Sequence, residues 1–238
     1  MSTHILTSPF EGILLVNKQV KKSSFSIVHQ LRKLTNIKKI GHAGTLDPFA
    51  RGVMVMLIGR SFTRMAIDFQ NDDKQYSARL FLGSISSTYD PEGEIKNISS
   101  NVPSLEDIEK LLQNYQGLIS QIPPMFSAKK VKGQRLYHLA RKGKEIEREP
   151  IQVEVEIKII KYSYPFLDLH VQCSKGTYIR SIAHDIGKDL GCGAYLISLT
   201  RTRSGPFLLK DCIDQEDLIS SEIDLTKHIF RQWKSNTI

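Results

Sequence analysis

The chain has 238 residues, 40% of them hydrophobic and 24% charged, which suits one large cored domain or two small ones and speaks against a disordered chain. A formal net charge of +8 favours a polyanionic partner, nucleic acid before an acidic membrane surface. The three cysteines, Cys173, Cys192 and Cys212, have no CxxC spacing, which argues against a disulfide framework or zinc ribbon and fits a reducing cytosol.

In chain order, GILLVN (12–17) is a short apolar run that reads as a buried strand. SSFSIVHQLRKL (23–34) predicts a helix capped by serine, with Phe25, Val28, Leu31 and Leu34 as its apolar stripe. The glycine-rich GHAGTLDPFARG (41–52) follows, and then the apolar run VMVMLIG. QYSARLFLG (75–83) alternates and puts Tyr76, Ala78, Leu80 and Leu82 on one strand face. PSLEDIEKLLQNYQG (103–117) is the clearest helix. Ser104 and Asp107 suit a capping box, Leu105, Ile108, Leu111, Leu112 and Tyr115 form its inner stripe, and Gly117 stops it.

Segment 123–150 interleaves lysine and arginine with Phe126, Tyr137 and His138 between bounding prolines, and reads as a protruding basic arm. IQVEVEIKII (151–160) and FLDLHVQCSKG (166–176) alternate and predict an antiparallel pair. TYIRSIAHDIGKDLG (177–191) is helical, with Ile179, Ile182, Ala183, Ile186 and Leu190 on one side. AYLISLTRTRSGPF (194–207) is a strand with a basic end. Together these predict an α+β fold: a mixed, largely antiparallel sheet with flanking helices and an insertion arm. Residues 1–210 read as one domain that includes the arm, and 211–238 as a short tail. The N-terminus lacks a charged segment followed by an apolar run, so no secretory signal is expected. No apolar run approaches a membrane span, so a cytoplasmic protein without membrane contact is expected.

The loop 41–52 carries one carboxylate, Asp47. Gly41 and Gly44 permit tight backbone turns, and Pro48 biases Asp47 away from helix, so the acid can be held outward over a cleft. By itself Asp47 reads more readily as a helix cap or an Asx-turn residue than as an outward-held acid. The loop offers neither the second acid of a paired-carboxylate hydrolase nor enough ligands for a metal.

GHAGTLDPFARGVMVMLIG resembles the central motif of the bacterial tRNA pseudouridine synthase B (TruB) family. EGILLVNK, KQYSARLFLG, QIPPMFSAKKVKGQRLYHLARKGKEIERE, CSKGTYIRSIAHDIGKDLG and LTRTRSGPF fall in the family's order, from about Gly12 to Phe207. The resemblance implies the pseudouridine synthase fold and an isomerase that makes pseudouridine at position 55 of the tRNA T loop. Such an enzyme cleaves the base–ribose bond, turns the base and rejoins it through carbon, with no metal or organic cofactor. Asp47 matches the essential aspartate, acting as nucleophile or as base. Arg180 matches the arginine that pairs with it and favours its charged form. Tyr76 and Tyr178 match positions beside the base, and Leu199 an apolar wall under it. On pattern alone these three are equally core residues and Arg180 a helix-surface residue.

His42 matches a histidine near the flipped nucleotide, where imidazole fills space vacated by an everted base. A loop histidine bonded to backbone is the alternative. Lys18 matches a lysine that supports the loop or approaches phosphate. Lys129, Lys130, Lys132, Arg135, Arg141, Lys142 and Lys144 of the arm would meet phosphates of the T arm. A monomer acting on tRNA is expected.

Three positions depart from the family pattern. NKQVKKSS lacks the usual proline and glycine after the lysine, Arg51 replaces a smaller residue, and the tail is too short for the C-terminal RNA-binding (PUA) module of many members. Weaker or less discriminating tRNA binding is the expected consequence of the short tail. The rival readings are a non-catalytic tRNA-binding or folding protein and a base-releasing glycosylase. The set Asp47, Tyr76 and Arg180 speaks against the first, because a pure binder has no use for a carboxylate facing a polyanion.

Overall fold

The computed structural model describes residues 8–127, 129–131, 133–219 and 223–232. In chain order the elements begin with β1 (Gly12–Lys18), α1 (Ser24–Thr35), β2 (Ile40–His42), β3 (Arg51–Ile58), α2 (Arg60–Thr63), α3 (Ala66–Asn71) and β4 (Lys74–Leu82). Next come β5 (Ser84–Ser86), β6 (Ile95–Asn97), α4 (Leu105–Leu112), β7 (Gly117–Gln121), β8 (Lys130–Val131), β9 (Gln134–Arg135) and α5 (Leu136–Ala140). The last are β10 (Ile151–Ser163), β11 (Phe166–Cys173), α6 (Ile179–Asp189), β12 (Ala194–Ser204), β13 (Phe207–Leu208), β14 (Ile213–Asp214) and β15 (Ile229–Phe230). The architecture is α+β, and its strand pairings are mixed and mostly antiparallel, as the sequence predicts. Two compact units form, one from Met1–Gln75 with Thr200–Ile238, the other from Tyr76–Leu199.

In the first unit β1 and β3 pair antiparallel along their length, from Gly12↔Ile58 to Lys18↔Gly52. The other edge of β1 takes β14 in parallel and β15 antiparallel, so part of the tail belongs to this sheet. The end of β12 pairs parallel with β3 at Thr200↔Arg51 and Arg201↔Gly52. Ile13, Leu15, Ala43, Val53, Val55, Leu57, Phe62, Phe69 and Phe207 make one buried cluster. β3 reads as a continuous apolar run because all but its first residue are buried.

Helix α1 starts where Ser23 Oγ accepts from the Ser26 amide at 3.2 Å. Its buried face is not the predicted stripe. Ile27, Val28 and Leu31 are buried, whereas Phe25 and Leu34 are exposed. The Phe25 ring instead meets His29 edge-on, with the Arg32 guanidinium 5.6 Å from its centroid. An apolar count at helical spacing cannot see that aromatic and cationic neighbours cover such a ring at the surface.

In the second unit β4, β11, β10 and β7 lie in that order, and β10 pairs antiparallel with both β11 and β7. Ala78, Leu80 and Leu82 are buried, with Tyr76 half-buried on the same face. Helix α4 has the predicted capping box, Ser104 and Asp107 each bonding the other's backbone amide. It ends at Leu112, a short 3-10 turn continues to Tyr115, and Leu105 is exposed rather than inward. Helix α6 buries Ile179, Ile182, Ala183 and Ile186. Arm segment 123–150 forms the hairpin β8–β9 and helix α5, and it is anchored through buried Pro123, Pro124, Ser127 and Leu136.

Candidate active site

The Asp47 loop is built by the first unit. β2 pairs with β3 at Gly41↔Leu57 and His42↔Met56, and the Ala43 amide still donates to the Val55 carbonyl at 2.9 Å. The chain leaves the sheet at Gly44, whose φ of +93° an L side chain adopts only under strain. Gly41, by contrast, is an ordinary strand residue. Buried Leu46 is tied to Ser24, whose hydroxyl donates to the Leu46 carbonyl and accepts from its amide, both at 2.9 Å. Asp47 follows, half-buried, and its carbonyl accepts from the Ala50 amide at 3.1 Å to close a turn through Pro48. Asp47 thus stands half-buried between two buried residues, Leu46 and Ala50.

Lys18 holds this loop from below. It is fully buried, and its ammonium donates to the carbonyls of Gln19 at 2.8 Å, Lys22 at 2.6 Å and Pro48 at 3.3 Å. These three bonds tie the ammonium to the backbone just after β1 and to that of the Asp47 turn. The Lys21 amide adds a second bond to the Pro48 carbonyl at 2.7 Å. Arg51 donates from Nε to Thr200 Oγ1 at 3.1 Å. His42 is half-buried, and its buried Nδ1 has no hydrogen-bond partner among the described residues. Burial and then the Arg201 charge hold its pKa below the ordinary histidine value, against the Gly44 backbone, so the ring is kept neutral.

The second unit carries the other predicted residues. Arg180, in the first turn of α6, is buried. Nη1 donates to Asp90 Oδ2 at 3.1 Å and to the Thr88 carbonyl at 3.2 Å, and Nη2 to the Phe126 carbonyl at 2.8 Å. Asp90 is itself buried, and its Oδ1 accepts from Thr88 Oγ1 at 2.5 Å and from the Glu92 amide at 3.0 Å. The sequence reading missed Asp90. Its signal is the turn SSTYDPEG (86–93), where one acid precedes a proline as Asp47 does. Tyr178 is fixed through its backbone by Gln121, which accepts from its amide at 2.7 Å and donates to its carbonyl at 3.1 Å. Leu199 is buried, and Tyr76 and Tyr178 are half-buried.

Lys129 is half-buried, and Lys130, Arg141, Lys142 and Lys144 are exposed. Lys132 lies outside the described residues, and Arg135 belongs to β9. Arg141 lies 5.7 Å from the centroid of the Tyr137 ring, which bears out the interleaving of cations with aromatics. A cavity of about 180 Å³ opens between turn and arm, lined by Thr88, Tyr89, Met125, Phe126, Lys144 and Arg148. Among the described residues no group of three His, Cys, Asp or Glu side chains could hold a metal ion. No helix among them is long and apolar enough to cross a membrane.

Known proteins resemble this chain over most of its length. Residues 32–179 match the TruB family pseudouridylate synthase N-terminal domain, and residues 180–229 the tRNA pseudouridylate synthase B C-terminal domain. A tRNA pseudouridine synthase B of Protochlamydia amoebophila is 52% identical over 211 residues, 89% of this chain and 80% of the relative. Its counterpart in Chlamydia muridarum is 52% identical over 225 residues, 94% of this chain and 93% of the relative. Among solved structures, a chain of a Cbf5–Nop10–Gar1 complex superposes with a TM-score of 0.69 at 27% identity, over 89% of this chain and 54% of that one. A chain of an H/ACA RNP bound to a substrate RNA containing 2'-deoxyuridine gives 0.65 at 25% identity, over 88% of this chain and 53% of that one. The chain thus spans about half the length of those solved chains. With a family model covering more than half of its residues and relatives at 52% identity, the chain belongs to the TruB family of pseudouridylate synthases.

Proposed function

We propose that this pseudouridine synthase, a tRNA-modifying isomerase by family, acts on the uridine at position 55 of the T loop. Asp47 carries the reaction. The observation that supports this is the loop itself: a half-buried carboxylate set between buried, backbone-tied neighbours over an enclosed ammonium. A turn that served only as a connection would not need a buried lysine below it.

The reaction makes no net change in composition. The C1'–N1 bond breaks, the uracil turns, and a C1'–C5 bond forms while the C5 proton is lost and N1 gains one. Asp47 starts it by attack on the sugar or base, or by taking a ribose proton. The family resemblance gives Arg180 the part of the cation that favours a charged carboxylate, and three acceptors fix its guanidinium. The resemblance gives Tyr76 and Tyr178 positions beside the everted base, Leu199 the apolar wall under it, and His42 the space the base leaves. The arm cations meet phosphate, and no metal or organic cofactor is required.

The test uses unmodified tRNA transcripts and an isolated T-arm stem-loop, incubated with the protein and a chelator. Pseudouridine is mapped by position and free uracil is assayed. The proposal expects product at position 55 and no free base. Product at another position, or uracil release, would overturn it.

A further inference from the structure

We propose that Arg201 is a positioning residue for the reaction, a buried guanidinium that braces both stems of the Asp47 loop and sets a fixed positive charge beneath it. The inference rests on Asp47 being the reactive carboxylate. Arg201 is 2% exposed and heads the largest fully buried side chains among the described residues. Nε donates to the Val53 carbonyl at 2.7 Å, and Nη2 lies 3.2 Å from Met54 Sδ, a weak acceptor. Both partners open β3, just downstream of the loop. Nη1 faces the upstream stem, where a Cβ added at Gly44 would stand 3.6 Å from it. One planar group thus touches the chain where it leaves the sheet and where it returns.

The approach is built into the backbone. Gly52 has φ +114°, and a Cβ there would fall 2.3 Å from the Arg201 carbonyl oxygen, so only glycine lets β3 and β12 come this close. Among the described residues no carboxylate forms an ion pair with Arg201. Two residues on, Arg203 is paired with Asp73. A buried cation without a counter-ion is costly, and a hydrophobic side chain of similar volume would pack the same space at no such cost. The charge therefore has a use beyond packing. Its field reaches the loop, since it is the second cause of the lowered pKa of His42.

The test compares Arg201→Met, which keeps the volume and removes the charge, with Arg201→Lys, which keeps the charge and loses the fork. We expect the Met variant to melt within a few degrees of wild type. Its kcat should fall by about 100-fold with KM within threefold, and the His42 imidazole, followed by NMR, should titrate at higher pH. The Lys variant should recover at least tenfold of the lost kcat. Wild-type kcat in the Met variant, equal losses in both variants, or an unmoved His42 titration would each overturn the proposal. If the Met variant does not fold, the Lys variant's kcat and His42 titration decide. Asp47→Asn on the wild-type background tests the underlying reading separately, because its retained turnover would remove the Asp47 assignment whatever Arg201 does.

Discussion

A carboxylate offered to a polyanion needs a rigid seat, and the seat here is made of buried cations bonded to backbone. Lys18 spends its N–H groups on three carbonyls, one of them in the Asp47 turn. Lys18→Met should lower stability by about 1–3 kcal/mol by denaturant titration, since carbonyls are left without a donor. It should leave the salt dependence of RNA binding unchanged, whereas a phosphate-contacting lysine would reduce that slope by nearly one. Arg180 and Asp90 behave differently, as a buried ion pair in which cutting the acid removes one of the acceptors that fix the cation. Asp90→Ala should cost about 3 kcal/mol in the same titration and slow single-turnover conversion by the folded fraction. Asp47 was legible through the family motif around it and not through its proline, since Asp90 precedes a proline too. Asp90 was not, because its partner Arg180 lies 90 positions away in sequence.

At the scale of elements, local signals held where the physics is local. The Ser104–Asp107 capping box and the alternation of β10 and β11 stand as predicted, since caps and pleats depend on neighbours in sequence. The inner face of α1 was misread, because which side is buried depends on what packs against it. Ser104→Ala should therefore cost about 1 kcal/mol in thermal or denaturant unfolding. Helix α6 carries a pH signature. Burial first, then the charge of Asp189, pushes the Asp185 carboxyl up to about 6, with Lys188 opposing. The folded state then holds that proton more tightly than the unfolded chain. Its stabilising contribution is complete at low pH and lost as pH rises through about 6. Asp185→Asn should raise the Tm at pH 8 and make little difference at pH 4. His184 runs the other way, because burial and Lys188 depress its pKa. Stability it contributes near neutral pH is lost as pH falls below the ordinary histidine range.

For the molecule as a whole, the sequence announced the α+β class and the basic arm, but not how distant segments assemble. β1 gathers two strands from the tail, at Val16↔Ile213 and Ile13↔Phe230, by long-range pairings that leave no trace in local periodicity. The charge of +8 belongs to this scale, with Arg141, Lys142 and Lys144 exposed on one arm. Replacing these three by Gln should weaken RNA binding more than tenfold at low salt and lower the slope of log K against log salt by about 2–3. The rate at saturating RNA should change little, since the proposal assigns binding to the arm and reaction to Asp47. The most direct test compares wild type with Asp47→Asn, measuring pseudouridine in unmodified tRNA and RNA affinity on the same preparations. The predicted result is no detectable product with affinity within a few-fold of wild type. Full turnover by the Asn variant would contradict it.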